Sequence, residues 1–117
     1  MDEYEVDYFI NLYCDLYQDK NEIYHYEYDR SKSNDYSSVF YHTNPVQLVS
    51  WYSPNEFSII HFRDTISTPV INYSTYSNSK GEGKQLFYIS PQHLGDTLSL
   101  YGIIDDEVWD MVKVWVK

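Results

Sequence analysis

The chain has 117 residues, 43% hydrophobic and 19% aromatic, with a formal net charge of −10. That length suits one domain able to bury roughly 65% of its unfolded surface, and the apolar content argues against intrinsic disorder. The charge disfavours direct binding to nucleic acid or anionic membranes and favours basic surfaces, and the single cysteine, Cys14, excludes an internal disulfide and an all-cysteine metal site.

The first predicted element is a helix from Asp2 to about Gln18, with Asp2 as cap and Glu5 completing a capping-box-like pair. At helical spacing Val6, Phe9, Ile10, Tyr13, Leu16 and Tyr17 share one apolar arc of about 120°. The opposite arc collects Tyr4, Asp7, Tyr8, Asn11, Asp15, Gln18 and Asp19, so Tyr4 and Tyr8 are expected in water among carboxylates. Charge concentrates here, since residues 1–35 hold ten acids against Lys20, Arg30 and Lys32.

From Ile23 to Asp29 the pattern alternates, which predicts a strand with Tyr24, Tyr26 and Tyr28 on one, core-facing side. Ser31 to Ser38 reads as a polar loop. Further strands are expected near Val39–His42, Val46–Tyr52, Glu56–Arg63 and Val70–Tyr76, with a tight turn at Ser53-Pro54-Asn55. A second turn, Asn78 to Lys84, feeds a strand at Gln85–Ile89.

Ser90-Pro91 opens a predicted helix that Gly102 stops. Asp105 and Asp106 then start a last helix burying Val108, Met111, Val112, Trp115 and Val116, because acids at its start and lysines at its end suit the macrodipole. The same tail also alternates as a strand would, with Val112, Val114 and Val116 on one face. The expected architecture is a single acidic α+β domain over 1–117: an N-terminal helix, an antiparallel sheet of five or six strands, and one or two C-terminal helices.

No reaction motif stands out. Gly81-Glu82-Gly83-Lys84 lacks the longer loop and the following Ser or Thr of a phosphate-binding loop, and reads as a hairpin turn. His25, His42, His61 and His93 form no metal-binding pair at helical spacing. His42 and His61 could meet across a sheet near Arg63, as in a metal-free ribonuclease, but any two sheet histidines could. Cys14 is expected near Asp7, Asp15 and Gln18, where carboxylates would raise its pKa and suppress nucleophilic chemistry. Asp105, Asp106, Glu107 and Asp110 lack the alternating ligands and central glycine of a calcium loop. No catalytic, cofactor-binding or metal residue is therefore assigned.

The remaining candidate is a partner-binding face formed by Tyr4, Asp7, Tyr8, Asn11, Asp15 and Asp19, presenting regularly spaced negative charge as a nucleic-acid backbone does. The expectation is a non-enzymatic protein that inhibits a basic partner, a nuclease or other nucleic-acid-binding protein, without touching nucleic acid or membrane itself. Alternatives are an immunity protein that neutralises a cognate toxin, or a small-ligand-sequestering domain. The absence of alanine and the presence of only two arginines suggest an AT-rich genome, of a low-GC bacterium or one of its phages. Small phage inhibitors of host defence, such as anti-CRISPR and anti-restriction proteins, share this size and charge. With neither an apolar run of ~20 residues nor the basic start of a secretory signal, the chain is expected in the cytoplasm of a bacterial host.

Overall fold

β-Branched and aromatic residues placed at every second position suit strands packed against a second layer. The structure, a computed structural model, describes residues 7–31, 35–55 and 73–117, and for Tyr36, Tyr73 and Tyr88 the backbone alone. Within these lie strands β1 (Ile10–Tyr13), β2 (Ile23–Tyr26), β3 (Asp35–Thr43), β4 (Leu48–Tyr52), β5 (Tyr73–Tyr76), β6 (Glu82–Ile89), β7 (Thr97–Ile104) and β8 (Val108–Val116), with a 3₁₀ turn at Pro91–His93. They form a three-stranded antiparallel sheet, β1-β3-β6, and a five-stranded sheet, β2-β8-β7-β4-β5. The larger sheet is antiparallel except for the parallel β2–β8 pair at its edge.

The expected α+β fold is therefore corrected to an all-β one, with no α-helix among the described residues. None of the three predicted helices forms, and at both ends of the chain the reason is that short apolar runs fit both periods. At the N-terminus Ile10, Leu12 and Cys14 are buried while Asn11, Tyr13 and Asp15 are exposed, a period of two. Ile10 and Leu12 close onto Gly102 of β7, where the missing side chain leaves room for them. Phe9, Tyr13 and Tyr17, expected in the core, are instead 38%, 51% and 68% exposed.

The last helix fails for the same reason. Asp105 and Asp106 both take positive φ, 51° and 57°, and the Glu107 N–H donates to the Ile104 carbonyl at 3.0 Å. That is a type I′ turn, whose twist suits a hairpin. The macrodipole preference, about 0.3–1 kcal/mol, is outweighed by the ladder that β8 makes along all of β7 and by burial of Val112, Val114 and Val116. The helix expected from Ser90 to Gly102 is absent as well: only a 3₁₀ turn, Pro91–His93, forms there, and Thr97–Ile104 is strand β7. In that turn the Ser90 N–H donates to His93 Nδ1 at 3.1 Å and the His93 N–H to the Ser90 carbonyl at 3.0 Å. Gly95, whose φ is 89°, turns the chain between the two elements.

Several strand expectations hold. Tyr24, Tyr26 and Tyr28 are all buried, and the turn at Asn78 leads into β6. The loop expected to reach Ser38 is shorter, because β3 begins at Asp35. The strand expected at Glu56–Arg63, like the start of that at Val70–Tyr76, lies outside the described residues.

The inner faces of the two sheets meet in one core. Val39, Tyr41, Phe87 and Ile89 face Val49, Trp51, Leu98, Leu100, Val114 and Val116. The Tyr41 and Trp51 rings meet edge-on at 5.4 Å, and the buried indole N–H of Trp51 donates to Thr75 Oγ1 at 2.8 Å. Two of the places where the chain changes sheets lie between β3 and β4 and between β5 and β6. Ser77 clips the two crossings together: its Oγ donates to the Asn44 carbonyl at 2.7 Å and accepts the Gln47 N–H at 2.8 Å.

Candidate interaction surface

The water-facing side of an antiparallel sheet is ordinarily polar. In the five-stranded sheet it is aromatic. Because β8 buries Val112, Val114 and Val116, the pleat turns Trp109, Met111, Lys113 and Trp115 outward. Strand pairing sets them in rows: His25, Trp115 and Thr97; Ile23, Lys113 and Ser99; Met111, Tyr101 and Tyr52; Trp109, Ile103 and Ser50. Trp109 is 59% exposed, and Trp115 and Tyr52 about 40% each.

The rings form two groups. In one, Tyr101 lies 5.9 Å from Tyr52 and 5.5 Å from Trp109. In the other, His25 sits edge-on between Tyr17 at 5.0 Å and Trp115 at 5.1 Å, with Lys117 Nζ over the Trp115 ring. Trp109 and Trp115 are six residues apart on β8, about 20 Å, and four strands add about 19 Å of width. The face thus covers roughly 400 Å2, half of the ~800 Å2 each partner contributes to a standard interface. Loops at the rim would have to supply the remainder.

Those loops are acidic. Asp105, Asp106 and Glu107 stand exposed beyond the Trp109 end, and Glu22 and Glu27 are exposed along the β2 edge. Lys113 is an exposed cation on the face itself, while Lys117 pairs with Glu27 at 3.6 Å. Asp19 serves the turn before β2. Its Oδ1 accepts the Asn21 and Ile23 N–H groups, and its Oδ2 lies 2.9 Å from His25 Nε2. The bond to His25, then that from Ile23, holds the Asp19 carboxyl below the usual carboxylate range.

The predicted partner-binding residues do not form the helical row expected of them. Tyr4 lies outside the described residues. Asp7 and Tyr8 precede β1 and are exposed, and the Asn44 amide donates to the Asp7 carbonyl at 3.3 Å. Asn11 points outward from β1 opposite His42, Asp15 is exposed just beyond the strand, and Asp19 is engaged with His25. Asn11 does belong to a smaller outward aromatic patch, in which Tyr13 stacks on Phe40 at 5.5 Å and Phe9 meets His42 edge-on at 5.4 Å. His42 is exposed there, and its expected companions His61 and Arg63 lie outside the described residues. Cys14 is buried, and burial, rather than the carboxylates expected beside it, pushes its thiol up to about 12.

The tryptophan face was missed because the tail was read at the helical period. The signal was present: apolar residues at both parities of one strand require two covered faces, or one covered and one adhesive. Comparisons of the chain with protein-family models, with curated proteins and with solved structures return no match, so function has to be read from its own residues.

Proposed function

We propose that the protein is a non-enzymatic binding protein that captures a basic partner, of the kind that handles nucleic acid, on the outer face of its five-stranded sheet. The observation that carries this is the outward Tyr52–Tyr101–Trp109 and His25–Trp115 groups beside exposed carboxylates. Tryptophan and tyrosine dominate binding energy where they become desolvated, and negative charge draws a basic protein towards them. Both exposed cations of the face, Lys113 and Lys117, are outnumbered by Glu22, Glu27, Asp105, Asp106 and Glu107 around it. A partner held this way would lose its own surface for nucleic acid, which makes inhibition the natural consequence.

The test is capture from bacterial extract by the parent, by Trp109→Ser combined with Trp115→Ser, and by Tyr13→Ser on the opposite sheet. All three changes are outward-facing, so folding should survive. A basic protein should be retained by parent and control, lost from the double variant, and released near 1 M salt, where the Debye length is about 3 Å. It should also be unable to bind a DNA duplex while captured. Retention by the double variant, or a partner without net positive charge, contradicts the proposal.

A further inference from the structure

Next to Trp109 the molecule has a notch of about 390 Å3. It exists because β2 pairs with β8 only from Lys113 onward, leaving the earlier half of β8 bordered by Leu12 and by the turn that ends at Glu22. Its walls differ in chemistry. Trp109 and Met111 supply an aromatic and an apolar surface, Glu22 and Asp110 bring carboxylates from two separate elements, and Gln18 and Asn21 bring side-chain amides.

Asp110 is held in position: its Oδ2 accepts the Leu12 N–H at 2.7 Å and its Oδ1 the Met111 N–H at 2.8 Å. These bonds orient the carboxylate and leave its charge in place. Among the described residues neither Glu22 nor Asp110 joins an ion pair. At the back of the notch the Tyr24 phenol is pushed above its ordinary pKa, by burial first, with the charges of Asp110 and Glu22 adding to it. Two carboxylates from different elements thus act on one partly enclosed volume that Trp109 also lines.

Building on the proposed capture of a basic partner, we infer that this notch seats the guanidinium of a partner arginine. The planar fork of arginine can bond one carboxylate with each edge while its face lies against Trp109. Lysine, a compact and strongly hydrated point charge, would use the indole less well. A metal ion fits poorly, because no third His, Cys, Asp or Glu joins the two carboxylates among the described residues. Lys113 also lines the notch, and its ammonium opposes an incoming cation.

The test is NMR titration of 15N-labelled protein with Nα-acetylargininamide, with the lysine equivalent, and with the citrulline equivalent, which keeps the shape and lacks the charge. The arginine probe should give saturable shifts at the Trp109 indole N–H and the Gln18 and Asn21 side-chain amides. The lysine probe should bind more weakly and the citrulline probe should not saturate. Glu22→Gln should weaken arginine binding by about three- to fivefold, as loss of a partly exposed ion pair does, and Lys113→Gln should strengthen it. Both side chains are exposed, so neither change threatens the fold. Equal response to citrulline, or a Glu22→Gln protein that binds like the parent, overturns the inference. Failure of arginine to saturate, with partner capture still dependent on Trp115, overturns the notch alone. Saturation by arginine in a protein that captures no basic partner overturns the reading on which it rests.

Discussion

At the scale of single residues, burial follows parity in the strand. Ile10→Ala should cost about 2–4 kcal/mol, as truncation of a core aliphatic does, because Ile10 is 6% exposed and packs on Gly102. Phe9→Ala should cost well under half as much. Urea melts of both variants check this, and equal losses would restore the helical stripe. Asp19 carries a pH dependence of definite sign. Its pKa is depressed on folding, so its bonds stabilise the fold above the ordinary carboxyl value near 3.9 and are lost as the pH falls through the lower folded value. Asp19→Asn keeps an acceptor for the turn and removes the titrating group. Thermal melts between about pH 5 and pH 2 should therefore fall less steeply for Asp19→Asn than for the parent, and parallel curves would deny the effect. Of these features the burial of Tyr24, Tyr26 and Tyr28 was legible in the sequence. The Asp19–His25 pair was not, since nothing in the spacing reveals a turn that brings residue 19 back to residue 25.

At the scale of elements, the strands with clear alternation or flanking turns were legible, and the N-terminal element, β7 and the C-terminal strand, all expected as helices, were not. In the tail both periods were present, and the capping logic of Asp105-Asp106 pointed to a helix while the same residues serve a type I′ turn. Aspartate tolerates positive φ through its short polar side chain, so acids before an apolar run are ambiguous unless a preceding strand of matching length is available. Here Thr97–Ile104 supplies it. Glycine suits the φ of 57° at position 106 better than aspartate does. Asp106→Gly should therefore raise stability by about 0.5–1 kcal/mol, measured as a shift in urea midpoint at unchanged slope. A loss of that size would mean that the turn is of another type. The candidate face depended on this element: with the tail read as a helix, Trp109 and Trp115 could not be placed on one side of a sheet beside Tyr101.

At the scale of the whole molecule, the net charge was legible and still frames the functional reading, whereas the proposed interface lies not on an acidic helix but on an aromatic sheet face with an acidic rim. No helix among the described residues is long and apolar enough to cross a membrane. Charge and rings should divide the binding process between them, with long-range attraction setting the encounter rate and desolvated contact the lifetime. Asn is a favoured residue in type I′ turns, so Asp105→Asn with Asp106→Asn removes charge and preserves the hairpin. The most direct test is the association and dissociation rates of the captured basic partner with the parent, this charge variant, and Trp109→Ser/Trp115→Ser, at low and high salt. The charge variant should associate more slowly at low salt, converging with the parent at high salt. The tryptophan variant should dissociate at least about 30-fold faster at either salt, the cost of losing a hot spot of about 2 kcal/mol. Parent-like rates for the tryptophan variant would show that this face does not hold the partner.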